Sequence, residues 1–197
     1  MMRTIAVVNG KGGVGKSTCS VLVALSFGHA QIPVSLIDHD KSQQSAAEWA
    51  ERLRESDGDS GIVPITADPP PRFAICDTPG NIEFVQSDSF PAANLFLVPT
   101  STSLLDQKVT QATVAILKQR FPRTPLRILF NNVAPNTRDS QDLAGYASAI
   151  GAEALKNVLR RRTCYRYAAL EGWSLLTKEA EDELFRLTTE IATLVTL

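Results

Sequence analysis

Short apolar runs alternate with longer helical patterns along most of this chain. The apolar runs are rich in β-branched residues, which is typical of strands buried on both faces of a parallel sheet. They predict strands at residues 4–8, 34–37, 62–66, 73–76, 95–98 and 127–130. Helical patterns follow them, at residues 17–30, 43–56, 105–121, 140–150 and 178–195. This order of strand and helix predicts a doubly wound α/β fold with a mostly parallel sheet and right-handed crossovers.

The length and the segments between elements indicate one domain over residues 1–197. The polar residues 54–61 and the proline-rich residues 68–72 are interpreted as connectors, because further strands are needed on either side of them. No run of 18 apolar residues predicts a membrane span. The first apolar run lacks the length and the cleavage site of a signal peptide, so we expect a cytoplasmic protein.

A glycine-rich segment follows the first predicted strand and precedes the first predicted helix. Its residues are Gly10, Lys11, Gly12, Gly13, Val14, Gly15, Lys16, Ser17 and Thr18. The spacing Gly10-x4-Gly15-Lys16-Ser17 matches the phosphate-binding loop in full, in the strand–loop–helix context that this loop requires. Glycines let successive N–H groups point at phosphate oxygens, and the helix N-terminus adds a positive dipole end. We expect Lys16 to reach the β- and γ-phosphates and the Ser17 hydroxyl to ligate Mg²⁺.

Three aspartates lie where predicted strands end. Asp38 and Asp40 follow the second strand, and Asp77 follows the strand at 73–76. Because open α/β sheets bind ligands at the carboxyl ends of their strands, we expect all three near the glycine-rich loop. Asp77 is expected to hold Mg²⁺ directly or through water, and Gly80 to offer its N–H to the γ-phosphate. Each aspartate alone is typical of a cap or turn, and their joint placement favours the functional interpretation.

Composition and charge change this picture only in part. Three scattered cysteines and two unrelated histidines argue against a disulfide framework and a zinc site. The net charge of −1 and the pI near 6.1 do not by themselves predict nucleic-acid binding. One basic stretch near the C-terminus stands out, made of Lys156, Arg160, Arg161, Arg162 and Arg166.

Together these motifs resemble the deviant Walker ATPases of the ParA/MinD superfamily. The resemblance is carried first by residues 11–18, then by Asp38-x-Asp40 and residues 75–80. It continues through residues 96–106 to residues 160–172, so that it covers nearly the whole chain, with the first motif the most specific. It implies a P-loop ATPase that binds ATP and Mg²⁺, in the small ParA branch without an N-terminal helix-turn-helix.

The resemblance also implies roles for single residues. Lys11 is the additional loop lysine that reaches ATP bound by a second subunit, which implies an ATP-dependent sandwich homodimer. Asp40 orients the attacking water, and Asp38 acts near Mg²⁺. Asn131 and Asn132 fall where the family contacts adenine, and a turn role fits these two asparagines equally well.

One departure from the family pattern follows the aspartate pair. Small ParA proteins usually continue it with Pro-Gln, whereas Lys41 and Ser42 follow Asp40 here. A lysine beside Asp40 is expected to change how the attacking water is held. The resemblance therefore does not predict the hydrolysis rate.

Two functions of different classes follow. The first is a partition or positioning ATPase that binds nonspecific DNA through the basic stretch and moves a plasmid, a chromosome region or a protein assembly. Its hydrolysis is stimulated by a cognate adaptor protein, and its expected location is the cytoplasm at the nucleoid. A charge run that only aids solubility is the other interpretation of the stretch. The second function is a metabolic P-loop enzyme that transfers the γ-phosphoryl group to a small substrate.

Membrane targeting, as in the MinD branch, is disfavoured by the last predicted helix. That branch binds membranes through a basic amphipathic C-terminal helix, whereas this helix begins with Lys178 and a run that includes Glu179, Glu181, Asp182 and Glu183. An anionic membrane surface repels such a start. The apolar stripe of this helix is instead expected to pack into the core.

Overall fold

The structure, a computed structural model, describes residues 2–40, 45–56, 60–135 and 137–196, with the backbone alone at residues 56, 104, 105, 138 and 139. Its sheet has five parallel strands in the order β2-β3-β1-β4-β5. The strands are β1 (Arg3–Val7), β2 (Val34–Asp38), β3 (Phe73–Asp77), β4 (Leu95–Thr100) and β5 (Leu126–Phe130). From the central β1 the chain runs to the edge strand β2, returns to β3 beside β1, and then crosses to β4 and β5 on the other side of β1, which confirms the predicted doubly wound α/β fold.

Helices cover both faces of this sheet. They are α1 (Lys16–His29), α2 (Ser45–Ser56), α3 (Ile82–Gln86), α4 (Leu104–Arg120), α5 (Arg138–Gln141), α6 (Leu143–Ile150), α7 (Thr163–Glu171) and α8 (Lys178–Thr196). A 3₁₀ turn, Trp173–Leu175, joins α7 to α8. Helices α1, α2, α7 and α8 pack on one face, and α3, α4 and α6 on the other. The helix at 163–171 was not predicted from the sequence.

The central strand shows why these residues form a three-layer core. Ile5 and Val7 point into the hydrophobic cluster under α1 and α8, whereas Ala6 and Val8 point into the cluster under α4 and α6. All four side chains are fully buried. Successive side chains of a strand face opposite sides of the sheet, so a continuous apolar run is what a strand covered on both faces requires.

The strand predicted at 62–66 is wrong. Ile62 forms only an isolated bridge with Val34, and the chain turns at residues 65–66. Gly61 has a φ of 64°, and Pro64 has no N–H to donate to a ladder, so the run cannot continue as a strand. Instead, Ala67 N–H donates to the Pro64 carbonyl at 3.0 Å and closes a turn.

The helix predicted at 140–150 is two helices. Asp142 separates α5 from α6, and its carboxylate accepts a hydrogen bond from Gly145 N–H at 3.1 Å. An aspartate in this position caps the N-terminus of a new helix. The predicted end is confirmed by Gly151, whose φ of 86° closes α6 in the left-handed conformation.

The apolar stripe predicted for the last helix is confirmed in α8, where Leu184, Leu187, Ile191 and Val195 are buried in the core. Across the described parts of the chain, none of the helices combines the length and apolarity needed to cross a membrane.

Candidate functional site

The glycine-rich loop (residues 10–18) leaves the carboxyl end of β1, the central strand of the sheet. On one side, the strand register places Val7 beside Asp77 of β3, and Asp77 beside Asp38 of β2. Three strand ends therefore meet at one edge. As the strand positions in the sequence predict, Asp38 and Asp77 lie next to each other at the edge that carries the loop.

Asp77 is the centre of a buried polar cluster. Its carboxylate accepts hydrogen bonds from the hydroxyls of Ser17 at 2.6 Å and Ser20 at 2.9 Å, and the side chain is 1% exposed. Burial raises the pKa of Asp77 to about 6, although both serine hydrogen bonds and nearby Lys16 lower it. The loop's serine and a carboxylate are thus held together.

Asp38 holds the start of a helix. One carboxylate oxygen accepts Asp40 N–H at 2.7 Å, and the other accepts Ala46 N–H at 3.0 Å and Ala47 N–H at 3.2 Å. Asp38 thus joins the end of β2 to the N-terminus of α2. Lys41, which is expected to affect the attacking water, lies outside the described residues.

A cavity of 310 Å³ opens over the loop on the side of Asp40. Its lining includes Lys16, Ser17, Asp40, Trp49 and Gly80. Burial lowers the pKa of Lys16, while Asp77 and Asp40 oppose that shift. The Lys16 ammonium donates to the Lys11 carbonyl at 3.0 Å. A cation, helix N–H groups and acidic residues around one cavity suit a phosphate chain with a metal ion.

Oxygen donors at this cavity fit Mg²⁺. Ser17 lines the cavity and would hold the ion, with Asp77 directly behind it through the 2.6 Å hydrogen bond, because hydroxyl and carboxylate oxygens are the ligands that Mg²⁺ prefers. Asp38 does not line the cavity, and its two carboxylate oxygens accept the N–H groups of Asp40, Ala46 and Ala47, so the geometry fits the predicted metal role of Asp38 less well. Within the described ranges, no group of three or more His, Cys, Asp or Glu side chains is arranged to hold a metal by itself. Phosphate oxygens of a nucleotide would complete the coordination, and the bound ion would neutralise developing phosphate charge.

The tip of the loop is exposed, and Lys11 extends from it. Its ammonium lies 3.8 Å from a carboxylate oxygen of Asp106, at the start of α4. The Lys11 side chain is 38% exposed, and Asp106 is held in turn by the Ser101 hydroxyl at 2.6 Å. An ion pair of this exposure contributes about 1 kcal/mol or less, so Lys11 is only weakly held.

Behind the tip, Asn9 fixes the first turn of the loop. It is fully buried, and its amide donates to the Pro99 carbonyl and the Thr110 hydroxyl, both at 2.9 Å. Its carbonyl oxygen accepts Lys11 N–H at 3.0 Å. Gly10 N–H donates to the Thr113 hydroxyl at 3.0 Å. The loop is therefore bound to β4 and α4 as well as to its own strand.

A second cavity, of 440 Å³, lies on the other side of the loop. Gly13, Gly15 and Thr18 line both cavities, so the two volumes border the same stretch of loop backbone. Asn131 lies in the second cavity, and its amide donates to the Val14 carbonyl at 3.0 Å. Asn132 lines it too, with a φ of 57° that is typical of a turn. A nucleoside attached to phosphates in the first cavity would extend into the second.

The five residues of the basic stretch do not all lie on the same surface. Arg160, Arg162 and Arg166 line the second cavity, whereas Lys156 and Arg161 do not. Glu183 of α8, which is 8% exposed, lies 3.4 Å from the Arg162 guanidinium and 3.8 Å from that of Arg160. Glu183 is therefore a buried partner of the arginines, whereas the sequence showed it only as part of the acidic run that begins the last predicted helix.

Sequence reasoning missed four residues of this region, and each had a signal. Asn9 is a polar residue at the end of an apolar strand, and Ser20 lies one helical turn after Ser17. Trp49 lies one turn after Ser45, and both line the first cavity. Glu183 is three residues from Ala180 and four from Leu187, which places it on the buried face of α8.

Comparisons with known proteins agree with this geometry. Residues 5–175 match the family described as the CobQ/CobB/MinD/ParA nucleotide binding domain. The chain is 32% identical to the maintenance of carboxysome distribution protein A of Gloeobacter kilaueensis, over 96% of this chain and 94% of that protein. It is 24% identical to protein ParA of Rhizobium radiobacter, over 83% and 81% of the two chains.

Among solved structures, the chain resembles the septum site-determining protein MinD of Pyrococcus horikoshii in complex with Mg-ADP. The TM-score is 0.76 with 14% sequence identity, over 98% of this chain and 97% of that one. At this identity the likeness concerns the fold, and it agrees with the parallel sheet and flanking helices described above.

Proposed function

This chain belongs to the CobQ/CobB/MinD/ParA nucleotide-binding family, and from that membership we propose that it is a ParA-type positioning ATPase that works as an ATP-dependent sandwich dimer. As a member of the ParA/MinD group it is an ATPase. In the proposed cycle the ATP-bound dimer holds nonspecific DNA, and an adaptor protein stimulates hydrolysis and release. The expected location is the cytoplasm at the nucleoid.

The observation that carries the dimer proposal is the position of Lys11. It stands at the exposed tip of a loop whose base is firmly bonded, and the partner of its ammonium among the described residues is Asp106, in a weak pair. A lysine has a flexible stem that delivers a point charge to phosphate oxygens. Leaving Asp106 costs about 1 kcal/mol or less, so a second nucleotide across an interface can recruit Lys11.

Within one subunit, the first cavity provides the remaining functions. Lys16 would bind the β- and γ-phosphates, and Gly80 would offer its backbone N–H to the γ-phosphate. Gly80 fits this role because a Cβ there would lie 2.9 Å from the Gly12 Cα, so glycine lets the two backbone segments come close together. Asp40, on the cavity wall, would orient the attacking water.

The DNA proposal rests on the exposed members of the basic stretch. Lys156, Arg160, Arg161 and Arg166 are exposed to solvent. Lys and Arg side chains bind duplex phosphates without regard to sequence, and this binding weakens steeply as salt rises. Lys156 and Arg161 are the clearest candidates, because neither lines a cavity beside the glycine-rich loop.

The cargo is proposed from the relatives. One is named for carboxysome distribution and another is a ParA protein. These names support a positioning role for a protein assembly or a DNA molecule as cargo. The metabolic alternative, phosphoryl transfer to a small substrate, gives no reason for a partly exposed Lys11 opposite a weak partner.

Sedimentation tests the proposal directly. With ATP, the chain is expected to dimerise and then to co-sediment with random duplex DNA; with ADP it is expected to do neither. The variant Lys156→Ala with Arg161→Ala should weaken DNA binding about tenfold and reduce its salt dependence by about two phosphate contacts, without change in ATP affinity.

A matched control loses two exposed arginines from the opposite edge of the sheet. Arg72 precedes β3 and Arg123 precedes β5, so Arg72→Ala with Arg123→Ala removes the same charge far from the loop. It should bind DNA as the wild type does. If ATP produces neither a dimer nor salt-sensitive DNA binding, the positioning proposal fails and the metabolic alternative is favoured instead.

A further inference from the structure

Glu183 is a carboxylate that α8 contributes beneath the second cavity. It accepts hydrogen bonds from the Tyr165 hydroxyl at 2.6 Å, from Arg160 N–H at 2.8 Å and from the Arg162 guanidinium at 3.4 Å. One buried side chain therefore holds the backbone and two side chains of the segment 160–165. That segment forms a wall of the cavity.

The negative charge of Glu183 fixes the donors around it in a way that a neutral side chain would not. A buried carboxylate is stable only when it is paired and hydrogen-bonded, and here the same segment supplies every one of those three donors. Burial raises the pKa of Tyr165, and the hydrogen bond to Glu183 raises it further, so the phenol stays protonated and donates. Removing the charge would release Arg162 from its fixed direction.

Arg162 also carries a buried donor without a partner. Its Nε is buried, and in the portion of the chain that the structure describes this atom makes no hydrogen bond. Buried N–H groups are normally paired, so this one leaves Arg162 with a donor that a small shift of its side chain towards the cavity would offer to an acceptor on a ligand. Nucleobase nitrogens and ribose oxygens are acceptors of this kind.

We propose that Glu183 is a positioning residue for nucleotide binding, which fixes Arg162 and Tyr165 so that the second cavity recognises the nucleoside half of the nucleotide. The inference rests on the nucleotide site proposed above and names how its nucleoside part is held. It moves Arg162 from the predicted DNA surface to the nucleotide site. Dimerisation and DNA binding play no part in it.

The test compares two ligands that differ only by the nucleoside. ADP contains it and inorganic pyrophosphate does not, so calorimetric titration of both with Mg²⁺ separates the two cavities without inducing a dimer. Glu183→Gln keeps the shape and loses the charge. It is expected to weaken ADP binding about tenfold and to leave pyrophosphate binding within about twofold of the wild type.

Glu190 provides the matched control on the same helix. Its carboxylate accepts Lys156 N–H at 2.8 Å and Asn157 N–H at 3.0 Å, so it also ties the preceding segment to α8. Neither Glu190 nor Asn157 lines the second cavity. Glu190→Gln should therefore lower the melting temperature to a similar extent while ADP and pyrophosphate bind normally.

Two outcomes would overturn the inference. The first is an equal loss of ADP and pyrophosphate affinity in Glu183→Gln, and the second is an ADP loss in Glu190→Gln as large as in Glu183→Gln. If Glu183→Gln does not fold, Arg162→Gln tests the same point, because it is expected to lose ADP affinity selectively. A failure of ATP-dependent dimerisation would rule out the positioning proposal, and it would leave these ADP results unaffected.

Discussion

The base and the tip of the glycine-rich loop are held in opposite ways. At the base, Asn9 and Asp77 are buried and make several short hydrogen bonds to neighbouring strands and helices. At the tip, Lys11 is partly exposed and pairs with Asp106 at 3.8 Å. Within a few residues, the chain changes from a rigid framework to a side chain that is easily displaced.

The difference separates two tasks. A phosphate cradle works best when its donors are already aligned, since ordering them during binding would cost free energy. A residue that joins two subunits must be able to change partner, so a weak intramolecular contact suits it. The loop therefore combines preorganised ligand binding with a lysine available for a second molecule, and each part can be perturbed by itself.

The largest effect is expected at the tip, from Lys11→Ala. Removing the charge should reduce ATP-dependent dimerisation and dimer-dependent hydrolysis about a hundredfold or more, because a phosphate across the interface loses its partner. ADP binding to the single subunit should stay within about twofold. Ultracentrifugation and phosphate release measure these effects. Lys108→Ala, which removes an exposed lysine of α4, is the control; unchanged turnover in Lys11→Ala would indicate a monomeric site.

At the base, Asn9→Ala is expected to cost about 3 kcal/mol of stability, because it removes the hydrogen bonds that a fully buried amide makes to Pro99, Thr110 and Lys11. The melting temperature should fall by roughly 6–12 °C, and ADP affinity should fall with it. Asn94→Ala removes the asparagine that accepts Thr4 N–H at the other end of β1, and should lower the melting temperature alone. If Asn9→Ala bound ADP as tightly as the wild type, the base of the loop would not be preorganised for the ligand.

Asp77→Asn is expected to stabilise the nucleotide-free, Mg²⁺-free protein at neutral pH by about 2 kcal/mol. Burial raises the pKa of Asp77 from 3.8 to about 6, so between these values the folded chain holds a proton that the unfolded chain has released. The free energy of unfolding of the wild type therefore falls as the pH rises from about 4 to about 6. Above that range, the ionised Asp77 destabilises the fold most.

Urea unfolding near pH 5 and near pH 7.5 measures this prediction for Asp77→Asn. The stability gain over wild type should be larger at the higher pH, while Mg²⁺-dependent nucleotide binding should be lost. Asp142→Asn replaces an exposed helix cap and serves as the control. An equal gain in both variants, or no pH dependence of the gain, would show that burial of Asp77 is not its cause.

The smallest effect is expected from Asp106→Asn. It removes the charge that holds Lys11 in the single subunit, so ATP-dependent dimerisation should strengthen by about two- to fivefold. The free energy of unfolding should change by less than about 1 kcal/mol. Equilibrium sedimentation with ATP measures the dimer. Loss of dimerisation in this variant would mean instead that Asp106 directs Lys11 toward the partner.

Sequence patterns predicted most of the framework around the loop. Strand ends place Asp38 and Asp77, and the register confirms that the two are neighbours. These predictions succeed because parallel strands share one carboxyl edge, so position along the chain translates into position in space. The strand at 62–66 failed because Pro64 interrupts the ladder, a local signal that the apolar run obscured.

The nucleoside side was much harder to predict. Glu183 and Arg162 are 21 residues apart in sequence and meet only because α7 and α8 pack on the same face of the sheet. A basic run by itself gives no indication of a buried carboxylate opposite it. Contacts of this kind depend on tertiary packing, and the pattern of a single helix reveals only that Glu183 lies on its buried face.

Helix α2, whose first turn is bonded to Asp38 through the N–H groups of Ala46 and Ala47, carries a natural fluorescent probe. Trp49 lies one turn further along α2, lines the first cavity, and is half-buried. The other tryptophan, Trp173, is buried and stacked on His29 at 4.5 Å, away from both cavities. In a Trp173→Phe background, emission would come from Trp49 alone, so the arrival and cleavage of nucleotide can be followed in real time without a label.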